Sequence, residues 1–142
     1  MLLTARILSD TQGINSFRIS PGAHQATEGD TYSVYLQLID ASLDTTREGF
    51  NPAGRRYVPA SGASLSITMD AISTAKAISR AAVQPFAQDS SIWRLDVLST
   101  DKLRGTVPLK LVLTEGVKVT RGLVQAGILV QPRDQIFTPF AP

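Results

Sequence analysis

Hydrophobic and polar residues alternate with a period of two along most of this chain, the pattern of strands with one buried and one wet face. Tyr32–Asp40 places Tyr32, Val34, Leu36 and Leu38 on one side. Residues 65–70 alternate without a miss, so Leu65, Ile67 and Met69 are expected to face inward. Residues 92–98 align Trp93, Leu95 and Val97, and residues 106–114 align Val107, Leu109, Leu111 and Leu113. Pro108 has no N–H to donate, which puts the start of its strand at an edge or beside a bulge. Glu115 and Gly116 read as a tight turn into a long return strand, 117–130, whose apolar phase changes near Gly122. Such a change predicts a bulge or bend where a strand passes between sheets. A short opening strand is expected over 16–19. Residues 78–84 form a weaker one, because Ile78 and Val83 lie in opposite phases and Arg80 shares the phase of Ile78. The Ala-rich stretch 73–82 competes as a helix; residues 70–77 have room for one helical turn, with Ser73 or Asp70 as its cap.

About seven strands with turn signals between them predict an all-β fold, an antiparallel two-layer β-sandwich of the immunoglobulin-like kind, with a barrel as the alternative. The sandwich is expected over 16–130, with 1–15 as an N-terminal arm and 131–142 as an extended C-terminal tail. A long loop, 44–62, carries three Gly and two Pro. Phe50, Tyr57 and Val58 within it need something to pack against. The tail holds Pro132, Pro139 and Pro142, which keep it out of a sheet interior. It also holds Ile136, Phe137 and Phe140, which are costly to leave in water. These side chains either fold back on their own domain or dock on a neighbour, and the N-terminal arm poses the same choice.

A chain of 142 residues suits one domain with one sizeable core. With 43% hydrophobic and only 18% charged residues it reads as folded, and a surface poor in charge suits one that faces other protein. The net charge of +2 is small and the arginines are scattered, so nucleic acid is not an expected partner. The absence of Cys excludes disulfides and thiolate metal sites. No run approaches the roughly 18 apolar residues of a membrane span, and the N-terminus does not read as a signal peptide; no membrane association is expected.

Candidate chemistry is thin. His24 is the only histidine, sits in a loop-like stretch, and has no second imidazole for a metal or for proton exchange. No zinc-protease, EF-hand, phosphate-loop or nucleophile-elbow motif occurs. Asp30, Asp40, Asp44 and Asp70 fall near strand ends, where carboxylates cap turns, and Gly29 with Asp30 sets one such turn. No catalytic residue, cofactor, metal ligand or small-molecule substrate is therefore expected. Arg55, Arg56 and Tyr57 stand out: two guanidiniums and an aromatic on a loop suit a phosphate or carboxylate. Only Arg47 joins them, so a solvated or intramolecular role comes first, a protein contact second and nucleic acid last. The candidate protein-contact residues are Phe50, Arg55, Arg56, Tyr57, Ile136, Phe137 and Phe140.

Glu28, Gly29, Asp30 and Thr31 precede the strand of Tyr32, Val34, Leu36 and Leu38; Trp93 sits in a later strand, followed by the 105–113 strand and the 118–130 return. This arrangement, over roughly residues 16–130, resembles the small β-sandwich modules of tailed-bacteriophage virions. The nearest in character are the immunoglobulin-like capsid decoration proteins and the N-terminal sandwich of baseplate upper proteins. The resemblance implies a virion structural protein without an active site. The chain departs from the baseplate module in the 44–62 loop and in having no collagen-like or coiled-coil region after the sandwich. The expectation is thus a capsid decoration or cement subunit in the virion, partnered by its own copies and by other virion proteins such as the major capsid protein. A tail or baseplate component is the alternative. From another class comes a carbohydrate-binding sandwich, which needs an exposed aromatic platform; the chain is 6% aromatic and Trp93 lies in an inward phase.

Overall fold

In the computed structural model the described residues are 2–10, 17–20, 22–41 and 55–133. Their strands, in chain order, are β1 (Leu3–Asp10), β2 (Phe17–Ile19), β3 (His24–Thr27), β4 (Tyr32–Asp40), β5 (Arg55–Arg56), β6 (Ser64–Ala71), β7 (Lys76–Ala81), β8 (Ile92–Val97), β9 (Gly105–Val107), β10 (Leu109–Glu115), β11 (Lys118–Val124) and β12 (Ile128–Gln131). The fold is all-β. The larger sheet runs β8–β4–β1–β11–β10–β6–β7, with β5 beside the end of β4 and β2 beside the end of β1. Just after β7, Val83 pairs back with Arg94 of β8 through N–O contacts of 3.1 and 2.8 Å. The sheet therefore folds over until its two ends meet at one residue pair, a sandwich close to a barrel.

The smaller sheet, β3–β12–β9, continues the β10–β11 hairpin past a bend. Lys110 faces Leu123 and Val107 faces Ile128, so three steps on one strand meet five on the other. The surplus is a bulge of the kind that turns a strand pair. It comes at 125–127, three residues past Gly122, where the strand passes to the smaller sheet, as the phase change near Gly122 predicts. Pro108 sits opposite; it needs no acceptor, and its carbonyl takes the Asp70 N–H at 3.1 Å.

Residues 3–10, expected as part of a free arm, form β1 in the middle of the large sheet. Leu3, Ala5 and Ile7 are buried in the core. β1 pairs antiparallel with β4 along Leu3–Leu8 and parallel with β11 where Leu3, Thr4 and Ala5 meet Gly122, Leu123 and Val124. The alternation was hidden because Leu2 and Leu8 are apolar in the opposite phase. Leu2 is exposed, whereas Leu8 is buried between Ile19 of β2 and Tyr35 of β4.

The expected inward residues do form the core: Leu36, Leu38, Leu65, Ile67, Met69, Leu95, Leu109, Leu111 and Leu113 are each at most 1% exposed. Burying each contributes about 1.5–3 kcal/mol. Trp93 joins them, and its Nε1 is a buried donor with no partner among the described residues. The helical turn expected in 70–77 is a single 3-10 turn, Ile72–Thr74, closed by Ala75 at φ 52° and followed directly by β7.

Arg80 explains the imperfect alternation of β7. It does face inward, toward Asp101, which is 5% exposed in the 3-10 turn Ser99–Asp101. Arg80 donates to both Asp101 oxygens at 2.6 and 2.9 Å and to the Asp96 carbonyl at 2.9 Å. Asp101 also accepts the Leu98 N–H at 2.8 Å, and Lys76 Nζ reaches the Asp101 carbonyl at 2.6 Å. This network closes the gap between β7 and β8 that backbone pairing leaves open. The Arg80 hydrogen bonds lead in holding the Asp101 carboxyl below its ordinary range, the Leu98 N–H helps, and burial opposes them.

Two predictions follow from these contacts. A Cβ at Gly122 would lie 2.1 Å from the Leu3 carbonyl oxygen, whereas one at Gly22 would meet nothing within 4 Å. Gly122→Ala should therefore cost about 2–3 kcal/mol or more in urea unfolding, and Gly22→Ala close to nothing. Asp101→Asn should cost about 3 kcal/mol at neutral pH by stranding a half-desolvated guanidinium. Because the folded Asp101 pKa is depressed, its contribution is complete above the unfolded value of about 3.9 and is lost as pH falls through the folded value. The stability gap between the two proteins should accordingly close on acidification. An equal gap at neutral pH and at about pH 2 would mean that the ion pair is not its source.

Candidate protein-contact surface

The hairpin turn decides which side of β11 is wet. Glu115 pairs with Lys118, so Gly116 and Val117 form a two-residue turn. Gly116 has φ 63° and Val117 has no positive φ, the type II′ pattern that needs glycine first. From that register, Leu113 stands opposite Thr120 and Leu111 opposite Gly122, with both leucines in the core. Paired residues share a face, so Thr120 and Gly122 take the inward side. Val119, Arg121 and Leu123 then point outward, opposite Thr114, Val112 and Lys110. The more apolar phase of β11 is the exposed one: Val117 is fully exposed, Val119 54% and Leu123 61%.

The outward face continues onto neighbouring strands. Ser64, Ser66 and Thr68 of β6 lie opposite Thr114, Val112 and Lys110, and Ala81 and Ser79 of β7 follow. Thr68 and Ser79 share a hydroxyl hydrogen bond of 2.8 Å, and Lys110 pairs with Asp70 at 3.4 Å. Across β11, Thr4 of β1 stands beside Leu123, and Leu2, 58% exposed, precedes the buried Leu3. Arg121 makes no hydrogen bond or ion pair among the described residues. Beside it, Val112, Leu123, Lys110 and Thr68 line an open, mostly apolar groove of about 400 Å³.

Of the contact residues expected from sequence, the described ones lie elsewhere. Arg55 and Arg56 form β5, pairing with Asp40 and Ile39, and the Arg56 guanidinium meets Asp89 at 3.2 Å. Tyr57 is half-buried. Its N–H bonds to the Leu38 carbonyl, and its hydroxyl lies 2.7 and 2.8 Å from the two Glu115 oxygens. Glu115 also accepts the Ala60 N–H at 2.9 Å. That N–H leads in holding the Glu115 carboxyl below its usual range, Tyr57 adds to it, and burial opposes. Burial, then Glu115, pushes the Tyr57 phenol up to about 12. Tyr57 is thus a strut between the end of the long loop and the hairpin tip. Phe50, Ile136, Phe137 and Phe140 lie outside the described residues.

Two aromatic groupings complete the surface. His24, expected in a loop, opens β3 half-buried and stacks on Tyr32 with centroids 5.2 Å apart; burial lowers its pKa. Phe17, Tyr35 and Phe86 pack together at centroid separations of 4.8 to 6.3 Å. Phe17 is tilted against both of the others, by 46° and 58°, so the three half-buried rings cover a sheet face without presenting one flat platform.

Sequence reasoning missed Val119, Arg121 and Leu123, although their signal was there. Apolar residues occupy odd positions up to Leu123 and even positions from Val124 to Val130. The change marks where the apolar phase stops facing out and starts facing in. No protein-family model, curated protein or solved structure matches the chain.

The strut has a measurable signature. Tyr57→Phe removes a hydrogen bond to a carboxylate and should cost about 1.5–3 kcal/mol. A phenol whose folded pKa is raised adds stability that is complete below its unfolded value of about 10 and is lost as pH rises through the folded one. An ultraviolet phenolate titration should therefore show steps near 12 for Tyr57 and for Tyr32, which is also pushed up to about 12. The variant should lack one of them; retention of both would mean that Tyr57 ionises freely.

Proposed function

We propose that this chain is a non-enzymatic structural subunit that binds protein neighbours through the outward face of β6, β10 and β11. The observation that carries the reading is the inversion of β11, which leaves Val117, Val119 and Leu123 in water while Thr120 and Gly122 face the core. Exposed aliphatics on a face of mostly Ser, Thr and Ala, with Arg121 and the Lys110–Asp70 pair as its charged groups, suit a protein interface, whose centre is apolar and whose rim is polar.

The strand order supports an immunoglobulin-like sandwich. β1, β4 and β8 take the places of strands A, B and E, and β11, β10, β6 and β7 those of G, F, C and C′. Trp93 lies on the E-like strand here, where antibody domains carry theirs on C. That topology fits the resemblance to capsid decoration modules. Within it, the chain acts as a decoration or cement subunit of a tailed-phage virion, in contact with its own copies and with the major capsid protein. A tail or baseplate position is the alternative within that class. The carbohydrate-binding reading draws less support, since Tyr57 is already engaged by Glu115 and the Phe17 cluster offers no flat platform.

Size-exclusion chromatography with light scattering tests the core of this reading. The full chain should self-associate, and Val119→Asp should weaken association by about tenfold or more while leaving the melting temperature nearly unchanged. A wild-type chain that stays monomeric at all concentrations, or a Val119→Asp variant that assembles like wild type, would count against this face. Within a native particle, the same residues should be buried against neighbouring density.

A further inference from the structure

We propose that residues 134–142 of one copy bind in the β10–β11 groove of a second copy, making the self-contact heterologous. The inference rests on the assembly reading above and names its occupant. The groove supplies an apolar floor, Val112 and Leu123, beside Arg121, a guanidinium without a partner among the described residues. The 134–142 segment supplies the complement: one carboxylate, Asp134, followed by Ile136, Phe137 and Phe140. Pro139 and Pro142 restrict its backbone before binding, so less freedom is lost when it docks. Prolines also lack the N–H groups for adding to a sheet edge, which favours a groove on a sheet face read by side chains.

Reach separates the two possible sources of the segment. β11 and β12 run onward past the bend, and Arg133 is fixed beyond β12 by the Glu28 carbonyl at 3.0 Å and the Asp30 carboxylate. Leu123 lies ten residues back along that path. At about 3.3 Å per residue, even a right-angle bend at 125–127 leaves more than ~20 Å between them. Phe137, four residues past Arg133, reaches only about 14 Å, whereas Phe140, seven past it, reaches about 25 Å when fully extended. Asp134, Ile136 and Phe137 therefore fall short of Arg121 and Leu123 in their own copy, and only the groove of a second copy can take the whole segment. A head-to-tail contact of this kind repeats into a ring or a filament.

A complementation experiment on full-length chains tests this. One variant carries Phe137→Ala with Phe140→Ala, leaving the groove intact; the other carries Leu123→Asp, leaving the segment intact. Circular dichroism and melting should match wild type for both, which shows that the fold is kept; Leu123 is 61% exposed. Each variant alone should associate at least about tenfold more weakly than wild type by light scattering. Mixed in equal amounts, they should pair and stop at two copies, because only one productive joint remains. A mixture that stays monomeric, or a segment variant that assembles like wild type, overturns the proposal. If Leu123→Asp abolishes assembly while the segment variant does not, the assembly reading stands and this occupant is wrong. If wild type itself is monomeric, both fail together.

Discussion

The pairing of Glu115 with Lys118 across the Gly116–Val117 turn sets the register on which the rest of this surface depends. Leu109, Leu111 and Leu113 face the core beside Met69, Ile67 and Leu65 of β6, each at most 1% exposed. A two-residue turn then leaves β11 no freedom: residues opposite buried leucines go in, and their neighbours go out. A slip of one residue would bury Val119 and Leu123, but it would bury Arg121 with them and turn Val124 away from the core it packs against. The fold keeps the register that leaves Val119 and Leu123 wet. Local hydrophobicity has been overruled by the partner strand and the glycine turn, and the outcome is an aliphatic stripe on a face with little charge.

A second set of contacts fixes the irregular segments. Arg80 with Asp101 spans the seam between β7 and β8, Tyr57 with Glu115 ties the long loop to the hairpin, and Arg133 with Asp30 pins the chain after β12. Each joins a residue at the end of a strand or loop to one far off in sequence, and two of them serve buried or half-buried groups. The exposed pairs, such as Arg56 with Asp89, contribute less, since water screens them. Polar chemistry among the described residues thus acts mainly as joinery.

Much of the fold could be read from alternation alone. β4, β6, β8 and β10 each present a clean inward phase, and those residues form the core. Where alternation failed, a particular neighbour is responsible. β1 looked like an arm because Leu8 is apolar in the outward phase, and only β2 lying beside it explains why. β7 looked irregular because Arg80 points inward, toward a carboxylate that local sequence cannot place beside it. The outward aliphatic face of β11 was legible only as an anomaly, the phase change in the return strand. Periodicity reports which residues share a side; it does not report which side is wet, because that is decided by the strand opposite. Arg55, Arg56 and Tyr57 drew attention by composition, yet pairing with β4 and Glu115 draws Arg56 and Tyr57 into contacts within the chain.

The parallel pairing of Leu3 with Gly122 has a consequence for how the domain is made. It joins nearly the first residues of the sandwich to nearly the last, so the loop closed by that contact spans almost the whole domain. Contacts this distant are slow to form, because the chain must lose most of its freedom before they return anything. During synthesis, β1 can pair with β2 and β4 as soon as those strands emerge, but the Leu3–Ala5 part of its other edge stays open until β11 leaves the ribosome. An unpaired edge is a template for other chains. A strand near the end of the domain is therefore the one that makes the first strand safe, and the interval between them is when a nascent copy is most exposed to mispairing.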